Sequence, residues 1–250
     1  DYLLRPEIRS HSLSNLSLTW LGRPMMEFGE LLGNAATLAD VETERVAEYC
    51  CADAATALKL SGILRKELEK DKKLLNIYDS IELPLVKVIS DMETRGIGID
   101  IPSLAKLESE FTDIIIELQE KAAKTAGYPV NLNSPAQVAD VLFNRLGLIS
   151  EKKTGTGANS SSMEVLEKLR GKHSFVEIVI EHRELSKLLN TYIRKLPEYV
   201  CEKDGMIHTS FSQTVTATGR LSSSSPNLQN IPVRTSRGRE VRKCFIPGRE

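Results

Sequence analysis

Apolar residues recur with a helical period over most of the first 195 residues. In the long segment 40–71, for example, Val41, Val46 and Tyr49 keep the spacing of one buried helix face. Glycines and prolines divide this pattern, because glycine readily ends a helix and proline readily begins one. The pattern predicts helices at residues 12–21, 40–71, 74–95 with a kink or break at Pro84, and 102–126, one from Ser134 to Gly147, and two that begin at the capping boxes Ser161-x-x-Glu164 and Ser174-x-x-Glu177, the second reaching about Lys195.

Extended structure is expected in two places. Residues 96–100 form a short apolar piece between two helices, and Met206 to Val215 alternates apolar and polar residues as a strand does. Residues 23–39, with their glycines and a proline, are expected to be a loop. The pattern therefore predicts an α+β fold that is predominantly helical, with the main domain boundary near residues 72–80.

Composition narrows the class of protein. The chain has 250 residues, 41% of them hydrophobic and 27% charged, which is typical of a globular protein. No apolar run approaches the roughly 20 residues that span a bilayer, so we expect no membrane partner. The first residue is Asp1, so the natural N-terminus is expected further upstream. The four cysteines form no CxxC pair or disulfide framework, which predicts a cytoplasmic protein with reduced, metal-free thiols, at Cys50, Cys51, Cys201 and Cys244.

Charge is unevenly spread along the chain. Residues 151–250 carry 17 Lys and Arg against 11 Asp and Glu, a net +6, whereas residues 1–150 carry 16 against 23, a net −7. A basic half joined to an acidic half indicates a nucleic-acid contact on the basic half, although a solvated surface gives the same pattern.

The most informative chemistry lies in residues 218–232. Gly219 permits close backbone approach, and Arg220 carries a forked, permanent cation. The side chains of Asn227, Gln229 and Asn230 offer amide donors and acceptors. Such groups suit the minor groove of a duplex, where A·T and T·A pairs present similar acceptors, and they grip it without reading its sequence. The alternative is a polar surface loop with a structural arginine.

The run from His208 to Pro232 resembles the segment that precedes the first catalytic carboxylate motif of the bacterial family A DNA polymerases, and residues 239–245 are similar to the next family segment. The resemblance implies that Arg220 touches the primer end in the minor groove. It also implies that Asn227, Gln229 and Asn230 contact the template–primer duplex. Cys244 stands where the family usually has a small residue.

Two further segments resemble the thumb of these polymerases. Residues 181–192 are similar to the thumb helix that lies along the duplex, which makes Lys187, Thr191 and Tyr192 the expected contacts, near one helix face. Residues 152–157 resemble the loop at the thumb tip, where Lys152 and Lys153 would meet phosphates. Without the resemblance, Lys187 equally fits a solvated helix and the loop is an ordinary surface loop.

Residues 49–53 resemble the third motif of the 3′-5′ proofreading exonuclease. Tyr49 and Asp53 are four residues apart and share a helix face. The tyrosine hydroxyl would orient a water, and the carboxylate would hold a divalent cation that activates it. Alone, this pattern is very common, and only its place in the family order gives it weight.

The resemblance implies three functional parts: the end of an RNase H-like exonuclease domain at 1–75, a helical thumb at 76–205 and the first strands of a palm at 206–250. The parent reaction would add deoxynucleoside triphosphates to a primer 3′ end with Mg²⁺, on template–primer DNA, in a monomer. The polymerase aspartates would lie beyond residue 250, so this segment alone is expected to be inactive. Two alternatives stay open: a stand-alone exonuclease of the ribonuclease D type and a non-catalytic helical nucleic-acid-binding module.

Overall fold

The structure, a computed structural model, describes residues 1–150, 153, 159–233 and 235–248. Ten α-helices are present in this part of the chain: α1 (Leu13–Leu21), α2 (Phe28–Leu32), α3 (Thr43–Glu69), α4 (Lys72–Ile77), α5 (Leu83–Arg95), α6 (Ile101–Ala126), α7 (Pro135–Ala139), α8 (Met163–Leu169), α9 (Ser174–Leu188) and α10 (Ser236–Lys243). Five short strands accompany them: β1 (Ile97–Ile99), β2 (Met206–Ile207), β3 (Ser210–Ser212), β4 (Ser222–Ser224) and β5 (Phe245–Ile246). The prediction of a predominantly helical α+β fold is confirmed.

The chain forms two compact units. Unit 1 contains residues 1–94 and 210–224, and unit 2 contains residues 95–209 and the described residues from 225 onward. The division falls at residues 94–95, later than the boundary expected near residues 72–80. Residues 210–224 also belong to unit 1, although they follow most of unit 2 in sequence. No described helix is long and apolar enough to cross a membrane.

Local hydrogen bonds set most helix ends. The Ser12 hydroxyl accepts from the amide of Asn15 at the start of α1, and Gly22, with φ of +65°, ends that helix. Asp100 caps α6 by accepting from the amide of Ser103 at 3.1 Å, and Gly127 ends it in the left-handed conformation. These two helices lie where the sequence predicts them.

Besides the π-helical turn Leu189–Ile193 that follows α9, two such wider turns interrupt the predicted helices. One of them, Tyr78–Glu82, joins α4 to α5 directly before Pro84, which has no amide hydrogen to continue the regular ladder. The other, Asp140–Arg145, follows α7. The break predicted at Pro84 is therefore present as a widened turn just ahead of the proline.

Three local predictions are wrong. The expected loop at 23–39 contains α2 and a 3₁₀ turn, Leu38–Asp40, because capping boxes at both places satisfy the terminal amides. Both predicted capping boxes are displaced by one residue: α8 begins after Ser162, and α9 begins after His173. The predicted strand 206–215 is split, since Met206–Ile207 pairs with β1 and Ser210–Ser212 pairs with β4.

Unit 2 has a continuous interior made of two apolar clusters. The first packs α6 and α9 against a three-stranded antiparallel sheet of order β2-β1-β5, around Phe111, Leu185 and Ile207. The second lies under α7 and α8, around Leu142, Leu166 and Phe175. These clusters fix the position of α9, which carries Arg183 and Lys187.

Candidate nucleic-acid interface

A two-stranded hairpin in unit 1 carries Arg220. Strands β3 and β4 pair antiparallel, and the connection between them spans residues 213–221. The Gln213 side-chain amide donates to the Glu82 carboxylate at 2.7 Å, and the Phe211 amide donates to the Glu93 carboxylate at 2.6 Å. Helix α5 and the π turn before it therefore hold the base of the hairpin.

The Arg220 side chain itself is exposed. The Thr216 hydroxyl donates to the Arg220 carbonyl at 2.5 Å, which fixes the backbone but leaves the guanidinium untouched. Gly219, with φ of +74° and open space around it, gives the turn its left-handed residue. The guanidinium has no hydrogen-bond acceptor among the residues that the structure describes, so its five donors remain available.

The amides predicted at residues 227–230 do not behave alike. The Asn227 side-chain oxygen accepts from the backbone amides of Gln229 at 3.1 Å and Asn230 at 3.2 Å, which closes a local turn. The side chains of Gln229 and Asn230 are exposed. The first amide therefore shapes the segment, and the other two face outward from it.

Tyr192 holds the backbone of residues 227–230 through a hydrogen bond. Its side chain is 5% exposed, and its hydroxyl donates to the Asn230 carbonyl at 2.6 Å. Burial raises the pKa of Tyr192. Lys187 and Thr191 are exposed, so the expectation that all three side chains lie near one face is wrong for Tyr192. Tyr192 lies in the π-helical turn Leu189–Ile193 that follows α9, so the α-helical spacing assumed for the three side chains does not hold there.

Gly238 lies in close contact with Pro232, just beyond the same segment. A Cβ placed on Gly238 would meet the carbonyl oxygen of Pro232 and would lie 2.8 Å from the Pro232 Cβ. Helix α10 therefore approaches the backbone of the segment as closely as a glycine allows. Three cations of α10 are exposed: Arg239, Arg242 and Lys243.

A groove of about 1110 Å³ lies in unit 2, and the sequence analysis missed it. Its polar lining comes from the start of α7, the residues before α8 and one face of α9. The polar and charged residues that line the groove include Asn133, Lys153, Asn159, Ser161, Ser162 and Arg183. Of the predicted thumb-loop cations, Lys153 is exposed and pairs with Asn159 through a backbone bridge, and Lys152 lies outside the described residues.

Arg183 dominates the groove. It is half-buried, donates to the Ser161 hydroxyl at 3.2 Å and also donates to the Ser161 carbonyl. No described carboxylate pairs with it, and burial lowers the pKa of Arg183. The buried Ser162 hydroxyl lines the same groove and has no partner among the described residues. A half-buried cation with no described counter-charge favours an anionic ligand.

Asp140 is the acidic group in this groove, and it is already engaged. The Asn144 amide donates to its carboxylate at 2.8 Å, and Arg145 lies 3.4 Å from it. These contacts hold the pKa of Asp140 below its usual range, the Asn144 hydrogen bond having the largest effect. No signal in the sequence links Arg183 to Ser161 and Ser162, because only the packing of α9 brings them together.

Tyr49 and Asp53 share one face of α3 in unit 1, as predicted. They lie four residues apart along the helix, so their side chains are neighbours. Partial burial first, and then the charge of Asp53, raises the pKa of Tyr49. Among the described residues, Asp53 belongs to no group of three metal-ligating side chains, so the part of the chain on view does not by itself make a complete cation site there.

Comparisons with known proteins agree with this geometry. The sequence model of DNA polymerase family A matches residues 101–250. The chain is 40% identical to DNA polymerase I of Synechocystis over its whole length and 48% identical to the thermostable DNA polymerase I of Thermus thermophilus over 75% of it. It spans only about a quarter of these relatives, 26% and 23%.

Among solved structures, the chain is similar to the POL domain of Pol1 from M. smegmatis in complex with DNA primer-template and dNTP. The TM-score is 0.82 at 35% identity, covering 98% of this chain and 40% of that one. The match of the family model to more than half of the residues, together with this fold, identifies the lineage. The chain belongs to DNA polymerase family A.

Proposed function

We propose that this chain is the part of a template-directed DNA polymerase that holds the primer–template duplex. The groove around Arg183 carries the proposal. A phosphodiester would supply the negative charge that the half-buried guanidinium lacks and an acceptor for the Ser162 hydroxyl. Lys153, exposed at the same groove, adds a second cation for the backbone. Lys152, Lys187 and Thr191 are proposed as further backbone contacts.

Arg220 and the exposed amides are proposed to meet the minor groove. The exposed, unpartnered guanidinium supports a contact at the primer terminus, where N3 of purines and O2 of pyrimidines occupy equivalent positions. Gln229 and Asn230 are proposed to contact the duplex directly. Asn227 and Tyr192 are proposed to act by holding that segment in place, which supports a shaped rather than a flexible surface.

The functional parts are proposed as the sequence predicts them. Residues 1–75 would end a 3′-5′ exonuclease domain, residues 76–205 would form the thumb and residues 206–250 would begin the palm. The placement of Tyr49 and Asp53 on one face of α3 supports the first assignment. Residues 210–224 belong to compact unit 1, so under this proposal the functional parts would divide the chain differently from the compact units.

Cofactor and partners are proposed for the longer protein. Enzymes of this family are metal-dependent nucleotidyltransferases, and Mg²⁺ with deoxynucleoside triphosphates would serve the parent reaction. Asp53 is proposed as one ligand of the exonuclease cation, which is distinct from the ions of nucleotide addition. A monomer is proposed. The stand-alone exonuclease of the ribonuclease D type loses its support, because residues 101–250 match the polymerase family.

Duplex binding by the 250-residue chain tests the main proposal. Fluorescence anisotropy with a primer–template at several salt concentrations should give a Kd that rises steeply with salt. Arg183→Ala should weaken binding about tenfold and reduce the slope of log K against log salt by about 0.9. The same chain, with Mg²⁺ and all four nucleotides, should not extend the primer.

Arg170→Ala is the matched control. Arg170 is an exposed arginine of unit 2 that already pairs with Glu167 at 2.7 Å and Glu177 at 3.1 Å. Its replacement should leave both the Kd and the salt slope nearly unchanged. Equal losses in the two variants would show that only overall charge matters and would remove the special role of the groove.

The exonuclease assignment needs the longer protein. There, Asp53→Ala should strongly reduce degradation of single-stranded 3′ ends and leave polymerisation nearly unchanged. Glu44→Ala, in the exposed first turn of the same helix, should change neither activity. Joint loss of both activities in Asp53→Ala would indicate that Asp53 stabilises α3 rather than holding a cation.

A further inference from the structure

A tight hairpin in unit 2 carries none of the side chains assigned above. Val200 and Ile207 form an antiparallel bridge. The Cys201 amide then donates to the Met206 carbonyl at 2.8 Å, and the Gly205 amide donates to the Cys201 carbonyl at 2.8 Å. Gly205, with φ of +76°, makes the turn that brings the two arms together. The hairpin thus places the side chains before and after its turn near one another.

Three metal-ligating side chains meet at this hairpin: the thiol of Cys201, the carboxylate of Asp204 and the imidazole of His208. Their donor atoms all lie within 4.8 Å of one another. The His208 Nε2 atom is 2.9 Å from the Asp204 Oδ2 atom. In a tetrahedral zinc site with bonds of about 2.0–2.3 Å, ligand atoms lie roughly 3–4 Å apart, so small side-chain rotations would complete the geometry.

Backbone contacts hold two of these ligands in advance. The Met206 amide donates to the second Asp204 oxygen, Oδ1, at 3.0 Å, which fixes the plane of the carboxylate. The His208 ring packs against Gly96, where an added Cβ would lie 3.0 Å from the ring carbon Cε1. The side chains of His208 and Asp204 are 30% and 45% exposed, so an ion can enter from solvent. Such supports orient metal ligands in known sites.

We propose that Cys201, Asp204 and His208 bind one Zn²⁺ ion, with a water at the fourth position. Thiolate, imidazole and carboxylate are the three ligand types that zinc accepts in proteins, and a thiolate disfavours Mg²⁺ and Ca²⁺. An ion pair between His208 and Asp204 is the simpler explanation of their contact. An exposed pair of that kind stabilises a fold very little.

The proposal is independent of DNA binding, and it departs from the sequence expectation of metal-free thiols. The spacing Cys-x2-Asp-x3-His matches none of the familiar zinc patterns with paired cysteines. Only the hairpin brings Cys201 across to Asp204 and His208. A bound ion would fasten the turn that leads into β2, the edge strand beside β1.

Cobalt provides the probe, because Co²⁺ occupies zinc sites and absorbs light. The metal-free 250-residue chain, titrated with Co²⁺, should develop a thiolate-to-cobalt charge-transfer band in the near ultraviolet and visible bands of tetrahedral cobalt. Both should saturate at one equivalent, disappear on addition of one equivalent of Zn²⁺ and withstand excess Mg²⁺. Absence of these bands in the unaltered chain would overturn the proposal.

Variants assign the ligands. Cys201→Ser should abolish the charge-transfer band, and Asp204→Asn should keep that band but weaken Zn²⁺ binding at least about tenfold, the loss that even an outer partner of a metal ligand brings. The control Cys50→Ser/Cys51→Ser removes two exposed thiols elsewhere and should change neither. Circular dichroism confirms that each variant is folded. A band that survives Cys201→Ser, a band lost in the control, or unaltered affinity in folded Asp204→Asn would each overturn the site.

Discussion

Arg220 and the segment 227–232 lie only seven positions apart at their nearest, yet the fold treats them in opposite ways. The Arg220 backbone is held by Thr216 while its guanidinium faces outward without a partner among the described residues. In the segment, the Asn227 side-chain oxygen accepts a hydrogen bond that closes a local turn, and Tyr192 holds the backbone by donating to the Asn230 carbonyl. Arg220 therefore exposes a hydrogen-bonding cation, whereas the backbone of the segment 227–232 is held in one conformation.

Under the proposed function, this difference would allow a duplex to be held without its base sequence being read. A free guanidinium can follow acceptors that occupy equivalent places in every base pair. A locked backbone can exclude a duplex of the wrong width. The two regions should therefore respond differently to substitution: Arg220 through the rate of reaction, and the segment through stability and fit.

The largest effect is expected for Arg220→Ala in the longer polymerase. The rate of nucleotide addition should fall about a hundredfold, the loss typical when one preorganised donor is removed from an active site. Duplex affinity should change much less. Single-turnover kinetics and binding at several salt concentrations separate the two quantities.

Arg220→Lys sharpens the same experiment. Lysine keeps the charge but not the planar fork, so this variant should also be impaired in rate. If Arg220→Ala altered only affinity and its salt slope, Arg220 would be a phosphate contact like Arg183, and the contrast between the two regions would collapse.

A smaller effect is expected for Gly238→Ala, which tests the locked backbone. The added methyl group would collide with the Pro232 carbonyl, a backbone atom that cannot rotate away. We expect the free energy of unfolding to fall by about 2 kcal/mol, measured by urea denaturation.

Gly62→Ala is the control for that substitution. Gly62 lies inside α3, has no neighbouring atom within 4 Å of an added Cβ, and is exposed. Alanine there should raise the free energy of unfolding by roughly 0.5–1 kcal/mol. A stable Gly238→Ala protein would mean that α10 can withdraw from the segment without cost.

The smallest effect is expected for Tyr192→Phe, which removes only the hydroxyl that holds Asn230. Loss of this hydrogen bond should cost about 1 kcal/mol of unfolding free energy. The exposed Tyr199 provides the comparison, since Tyr199→Phe should cost almost nothing. If Tyr192→Phe instead weakened DNA binding with no loss of stability, the original prediction of a direct DNA contact by Tyr192 would be favoured.

Local chemistry made much of the fold predictable. The ends of α1 and α6 follow from Ser12, Gly22, Asp100 and Gly127, because each cap satisfies its own hydrogen bonds within a few residues. The helical face shared by Tyr49 and Asp53 follows from their spacing alone. The exposure of Arg220 also agrees with its polar surroundings in the sequence.

The predicted capping boxes show where local reasoning stops. Ser161 donates to the Pro135 carbonyl and accepts from Arg183, so it does not cap α8. Glu177 accepts from the Gly171 amide at 2.8 Å instead of completing a box with Ser174. In both cases a partner from another turn or element competes with the nearby amide.

Spacing and short-range hydrogen bonds account for the helical class, the ends of α1 and α6 and the resemblance to the family. Tertiary structure alone decided that Tyr192 points inward, that Arg183 lies half-buried in a groove without a carboxylate, and that Cys201 approaches His208. The physical reason is the same each time. The environment of a side chain depends on which distant elements pack against it, and spacing along the chain does not contain that information.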